Sequence, residues 1–264
     1  MTLVLREEAH QPGVRLLILN RPEQRNALSK PLLLEFDHAL GDAGTDPAVR
    51  CLVITGAGEH AFSAGADIRE QTGFTPEDAY AHMRWGQQLF DRLARFPKPT
   101  VAAVNGYALG GGLELALACD FRTASDAAQL GLPEVTLASL PGWGGTQRLA
   151  RLIGASAAKL VAMTGSRLNA QQGLRLGMVN AVFPAAEHLA RALDLAGAIA
   201  THATESLEAI KQVIDEGLEQ RWDEALDAEA RAVARLWGTP AQKRAQAAFF
   251  ERRTRTPAAR HKRK

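Results

Sequence analysis

The stretch KPTVAAVNGYALGGGLELALACD, residues 98–120, runs from a short apolar segment through a glycine triplet into strong helix formers. PKPTVAAVNG reads as a buried strand bounded by Pro and Gly. Glycines 110–112 allow a tight turn and a close approach to the backbone, and ELALAC behind them favours helix. LACDFRTAS then reads as one more strand. Working outward, LVLREEA, VRLLILN and VRCLVIT are β-branched runs of strand length. Between the last two, Ser29 is placed to cap a helix whose Leu32, Leu33, Phe36, Ala39 and Leu40 share one face, and a second helix is expected over 76–96. Such an order predicts mixed α/β layers. Downstream the period becomes helical over 156–164, 188–201, 205–217, 222–236 and 241–252, with breaks at Pro184 and at Gly238-Thr239-Pro240. The expected organisation is an α/β core at 1–190, a helical region at 191–256 and a basic tail at 257–264. No repeat of 20–50 residues is evident by sequence similarity.

Composition narrows the class. With 264 residues, 46% hydrophobic and 23% charged, the chain can bury a full core and is not of disordered type. Cys51 and Cys119 each lie inside an apolar run, so they read as buried thiols of a reducing compartment rather than a disulfide framework. MTLVLREEAH carries acids early and has no apolar h-region, so neither a secretory signal nor a transit peptide is expected. No apolar run approaches the ~20 residues of a membrane span. The expectation is a cytoplasmic protein. From Thr239 onward nine Lys and Arg stand against one acid, Glu251, which leaves 22 bases and 28 acids before it. That asymmetry reads as a solvated end or as a surface for a polyanion, nucleic acid or a phosphorylated ligand. No RNP-like aromatic motif or zinc knuckle accompanies the charges, so nucleic acid is not an expected partner.

Spacing excludes several chemistries. There is no G-x-S-x-G, no Walker A, no H-E-x-x-H and no G-x-G-x-x-G, and the seven histidines show no pair at ligand spacing. A metal site and nucleotide-driven phosphoryl transfer are not expected. What remains is acid–base work, for which Glu114 and Glu134, 20 residues apart, are the candidates. Glu114 lies three residues beyond Gly111, so its carboxylate and the Gly111 N–H project toward one face. Each acid also has a plain structural explanation. An acid in the first helical turn stabilises by ~0.3–1 kcal/mol, and Glu134 follows Pro133 as an early helical residue would. The residues alone leave both readings open.

Five segments taken together resemble the crotonase, or enoyl-CoA hydratase and isomerase, superfamily. They are LNRPEQRNALS (19–29), AFSAGADIRE (61–70), the opening stretch, LGLPEVTLASLPGWGGTQRLARLIG (130–154) and MTGSRLNAQQGLRLGMVNAVFP (163–184). The resemblance implies a spiral of ββα repeats, with a helical C-terminal region that builds homotrimers, commonly paired into hexamers. It implies a CoA thioester as substrate and no separate cofactor. The backbone N–H groups of Ala66 and Gly111 would form an oxyanion hole for the thioester oxygen. Hydratases of the family carry glutamates at both positions, whereas many isomerases, hydrolases and dehalogenases retain one or neither. Hydration of a trans-2-enoyl-CoA is therefore the expected reaction, with Glu134 as proton donor and Glu114 activating water.

By the same resemblance Arg25, Ala27, Ala64, Ala66, Asp67, Ile68 and Arg69 would line the CoA channel, with a cation at Arg69 or Arg25 for its phosphates. The Gly142 N–H would orient water. Two features depart from the family pattern. Trp143 stands where a small residue is usual, which either reshapes the acyl pocket or packs in the core. PAQKRAQAAFFERR, followed by the basic tail, replaces an acidic C-terminal motif. The alternatives are a 3-enoyl-CoA isomerase, a hydratase that also binds RNA through its tail, and a non-catalytic CoA-binding scaffold.

Overall fold

Alternation along three strands defines the centre of the molecule. In the strands Val14–Leu19, Cys51–Gly56 and Thr100–Val104, residues Val14, Leu16, Cys51, Val53, Val101 and Ala103 point to one apolar cluster. Leu17, Leu19, Leu52, Ile54, Ala102 and Val104 point to another. A strand buried on both faces reads as a continuous apolar run, which is why these segments carry so few polar residues. The structure, a computed structural model, describes residues 3–8 and 11–255.

The chain forms two units, Met1–Thr201 and His202–Lys264. The first contains β1 (Val4–Glu8), β2 (Val14–Leu19), α1 (Lys30–Thr45), β3 (Cys51–Gly56), β4 (Ala61–Ser63) and α2 (Pro76–Ala94). These are followed by β5 (Thr100–Val104), β6 (Tyr107–Leu109), α3 (Gly111–Leu117), β7 (Phe121–Ser125) and β8 (Gln129–Gly131). Next come α4 (Gly145–Ile153), α5 (Ala155–Thr164), β9 (Leu168–Asn169), α6 (Ala170–Arg175), β10 (Ala181–Phe183) and α7 (His188–Ala200). A six-stranded sheet has the order β1-β2-β3-β5-β7-β10, and a four-stranded sheet the order β4-β6-β8-β9. All neighbours are parallel except β1 with β2 and β8 with β9.

The topology is a spiral. In β3–β4–α2, β5–β6–α3 and β7–β8–α4, each turn gives one strand to the large sheet, the next to the small sheet, and then a helix. Glycines mark the step between sheets, because the backbones nearly touch there. A methyl group at Gly56 would lie 2.2 Å from the Ala61 carbonyl, and one at Gly106 2.2 Å from that of His60. Asn105 Nδ2 ties this corner, donating to Gly56 O at 3.0 Å and Gly58 O at 2.8 Å.

Local signals set the helices. Ser29 Oγ accepts from Leu32 N at the start of α1, as expected, and Thr75 with Asp78 forms a capping box at α2. Helix α7 lays Ala192, Ala196 and Ala200 on the large sheet, so it belongs with the first unit. Cys51 and Cys119 are buried and unbridged. In the second unit α8 (Thr204–Gly217) packs against α9 (Trp222–Leu236), and α10 (Pro240–Arg255) follows. The basic tail 257–264 lies outside the described residues. Among the described residues no helix is long and apolar enough to cross a membrane.

Candidate active site

The glycine triplet opens α3, a seven-residue helix buried along its whole length. Gly110 caps it at φ +52 and ψ −126, a left-handed conformation that disfavours any side chain. Its far end is held by the buried Arg122, whose guanidinium donates to the carbonyls of Cys119 at 2.6 Å and Met178 at 2.8 Å. Helix α3 is thus fixed at both ends. The Gly111 backbone lies against the loop after β4: a methyl group on Gly111 would lie 3.2 Å from Ala66 N and one on Gly65 3.3 Å from Gly111 N. Neither N–H donates to an acceptor among the backbone bonds of the described loops and turns. The backbone nitrogens of Ala66 and Gly111 therefore lie on adjacent segments.

Glu114 is 2% exposed. Its Oε1 accepts from Gly145 N at 2.7 Å and Trp143 N at 2.8 Å, which binds α3 to the PGWGG loop. Burial pushes its carboxyl up to about 7 and the charge of Glu134 adds to that, while the two N–H bonds pull the other way. Glu134 sits in the single turn Pro133–Leu137 and is half-buried. Burial raises its carboxyl as well, and its Oε2 is buried without a hydrogen-bond partner among the described residues. Glycines clear the space around both acids. A methyl group at Gly110 would lie 2.9 Å from Glu134 Oε1, and one at Gly145 2.8 Å from Glu114 Cγ. Two carboxyl groups, both raised by burial, stand near the backbone nitrogens of Ala66 and Gly111, an arrangement suited to moving a proton next to a developing oxyanion.

Other expected residues fall in two places. Residues 25–28 run alongside 64–67: Arg25 O accepts from Ala64 N at 2.9 Å, Gly65 O from Leu28 N at 2.8 Å, and Leu28 O from Asp67 N at 3.1 Å. This brings Arg25, Ala27, Ala64, Ala66 and Asp67 together. Ala64, Ile68 and Arg69 are exposed. Arg69 donates through Nε to Asp67 Oδ1 at 3.0 Å, and Arg25 lies over the Tyr107 ring at 5.8 Å. Asp67 is held below the usual carboxylate range by Arg69 first and by Arg21. Gly142 lies in the PGWGG loop, where its carbonyl accepts from Gln87 Nε2 at 2.8 Å and its Cα faces Met83.

Trp143 is packed in the core. It is the largest fully buried side chain, edge-on to Phe90 at 5.5 Å. A methyl group at Gly86 of α2 would lie 2.3 Å from its Nε1, and one at Gly111 2.7 Å from its Cζ3. The indole is wedged between α2 and the first residue of α3.

Sequence reading missed Arg21, Gly145 and the Trp143 N–H. Gly145 was visible as the second glycine of the GG pair in PGWGG and Arg21 as the middle of LNRP, but neither spacing discloses its partner.

Comparison with known proteins identifies the family. The family model described as enoyl-CoA hydratase/isomerase matches residues 9–257. A short-chain-enoyl-CoA hydratase of Clostridium acetobutylicum is 40% identical, over 91% of this chain and 92% of that protein. A crotonyl-CoA hydratase of Syntrophomonas wolfei is 41% identical, over 90% of this chain and 91% of that protein. The crystal structure of an enoyl-CoA hydratase from Bacillus anthracis superposes with a TM-score of 0.91 at 38% identity, covering 95% of this chain and 96% of that one. The chain belongs to the enoyl-CoA hydratase/isomerase family.

Proposed function

We propose that this protein is an enoyl-CoA hydratase, adding water across the double bond of a trans-2-enoyl-CoA to give a 3-hydroxyacyl-CoA. The observation that carries the reading is the pair Glu114 and Glu134, both raised by burial, near the adjacent backbone nitrogens of Ala66 and Gly111. Those donors take the thioester oxygen as charge builds on it, and losing one such donor typically costs ~10²–10³ in kcat. Glu134, whose Oε2 has no hydrogen-bond partner among the described residues, gives its proton to the α-carbon. Glu114 orients the water and takes its proton as oxygen bonds to the β-carbon, and the two acids share the proton work. Water adds without any net change of oxidation state, so the reaction calls on no redox cofactor, and the two peptide N–H groups polarise the thioester in this reading. CoA enters as part of the substrate.

Residues 64–68 border the pantetheine, and Arg25 and Arg69 meet the phosphates through their forked donors. A homotrimer, singly or paired as a hexamer, is supported by the exposed apolar side chains of the second unit, among them Ile210, Ile214, Trp222 and Trp237. A cytoplasmic setting is supported by the two unbridged thiols.

An isomerase would move a 3-enoyl double bond without taking up oxygen. Mass spectrometry of the product formed in oxygen-18 water separates the two, and the hydratase reading requires the label at the 3-position. An unlabelled product from a 3-enoyl-CoA, with no hydration of crotonyl-CoA, would establish isomerisation instead.

A further inference from the structure

Arg21 lies outside the acid–base pair, yet its guanidinium bridges segment 64–67, which carries the Ala66 N–H, to segment 25–28 alongside it. Nη1 donates to the Ala27 carbonyl at 2.6 Å and Nη2 to Asp67 Oδ2 at 3.1 Å. Arg21 and Asp67 side chains are only 12% and 7% exposed. Behind them, the buried Asn26 accepts from Arg21 N at 3.0 Å and donates to the carbonyls of Ala57 and Ala61. Arg21 is therefore fixed on both sides.

Each peptide bond is planar, and when trans its C=O and N–H point in opposite directions. The Ala27 carbonyl and the Leu28 N–H belong to one such plane, and the Gly65 carbonyl and the Ala66 N–H to the next. Leu28 N donates to Gly65 O at 2.8 Å, so the two planes are joined in series. Gly65, at φ +102, has no side chain to restrain its backbone, so the direction of the Ala66 N–H must be imposed by its neighbours. We infer that the Arg21–Asp67 pair is a positioning device for catalysis: Arg21 anchors the Ala27–Leu28 peptide, which holds the Gly65–Ala66 peptide, which aims the Ala66 N–H at the thioester oxygen. Hydrogen bonds in such a chain also polarise one another, so the guanidinium strengthens the last donor as well as orienting it. This inference rests on the reading of Ala66 as an oxyanion donor.

The test pairs kinetics with spectroscopy. Arg21→Gln should lower kcat for crotonyl-CoA by ~10- to 100-fold, the scale of a misaligned catalytic group, while KM moves by no more than about threefold. On the non-turning Glu134→Gln background, the carbonyl stretch of bound crotonyl-CoA should lie below its solution position, and Arg21→Gln should move it back. Arg92→Gln, which severs the exposed Arg92–Asp37 pair, should leave both readouts unchanged. If Arg21→Gln does not fold by circular dichroism, Arg21→Lys and Asp67→Asn carry the same two measurements. A folded variant with the parent's kcat, or with a lowered kcat and the full carbonyl shift, overturns the inference. Absence of any shift in the Glu134→Gln protein with Arg21 intact overturns the oxyanion reading itself, so the two failures are distinguishable.

Discussion

Gly145 donates a hydrogen bond to Glu114, 2.7 Å from N to Oε1, and it lacks the side chain that would push that carboxylate away. A methyl group there would lie 2.8 Å from Glu114 Cγ and 2.9 Å from Oε1. Gly145→Ala is therefore expected to shift the acid by a fraction of an ångström and to cut kcat by ~100-fold, with a smaller effect on KM. Steady-state hydration of crotonyl-CoA checks this. A variant as fast as the parent would show that the acid tolerates displacement.

The buried acid also makes stability depend on pH. Glu114 titrates near 7 in the fold, because of burial and then the Glu134 charge, against 4.5 for a free glutamate. A carboxyl raised on folding contributes its full share below the unfolded value and loses it as pH climbs through the folded one. Glu114→Gln keeps an oxygen for the Trp143 and Gly145 N–H groups but has no proton to lose. Relative to the parent it should gain stability between pH 4.5 and 8, by up to ~3 kcal/mol. Urea unfolding at pH 5 and pH 8 measures the difference, and an equal gap at both would contradict the raised carboxyl.

Trp143 and Gly86 should behave as one packing unit. Trp143→Ala empties a buried site and is expected to cost ~3–5 kcal/mol. Gly86→Ala on its own overpacks the indole, at a cost of ~1–3 kcal/mol, even though alanine is the better helix former. In the double variant the methyl group has room, so the two losses should fall well short of additive in urea unfolding. Because the indole also reaches Gly111, Trp143→Ala should shift relative rates toward longer acyl chains. Strict additivity, with unchanged chain-length preference, would refute this coupling.

The two acids and the glycine turn were legible because their chemistry is local to short segments. The Ser29 cap and the apolar face of α1 were legible for the same reason. The small sheet was not, since β4, β6 and β8 have three residues each and cannot display a period of two. Nor was the repeat visible in the sequence itself. Its helices differ from 19 residues in α2 to 7 in α3, so equivalent strands fall at unequal intervals and no self-similarity survives. Arg21 and Gly145 act on partners 46 and 31 residues away, contacts that only the folded chain brings together. For Trp143, the room made by Gly86 and Gly111 exists only in the folded chain and not in any sequence spacing.

The central claim is that Glu114 and Glu134 together hydrate an enoyl thioester. The most direct measurement is the loss of conjugated enoyl absorbance when crotonyl-CoA is added to the parent, to Glu134→Gln and to Glu114→Gln. The account predicts rapid loss with the parent, none with Glu134→Gln, and a strongly reduced rate with Glu114→Gln. Full activity in either folded variant would contradict it.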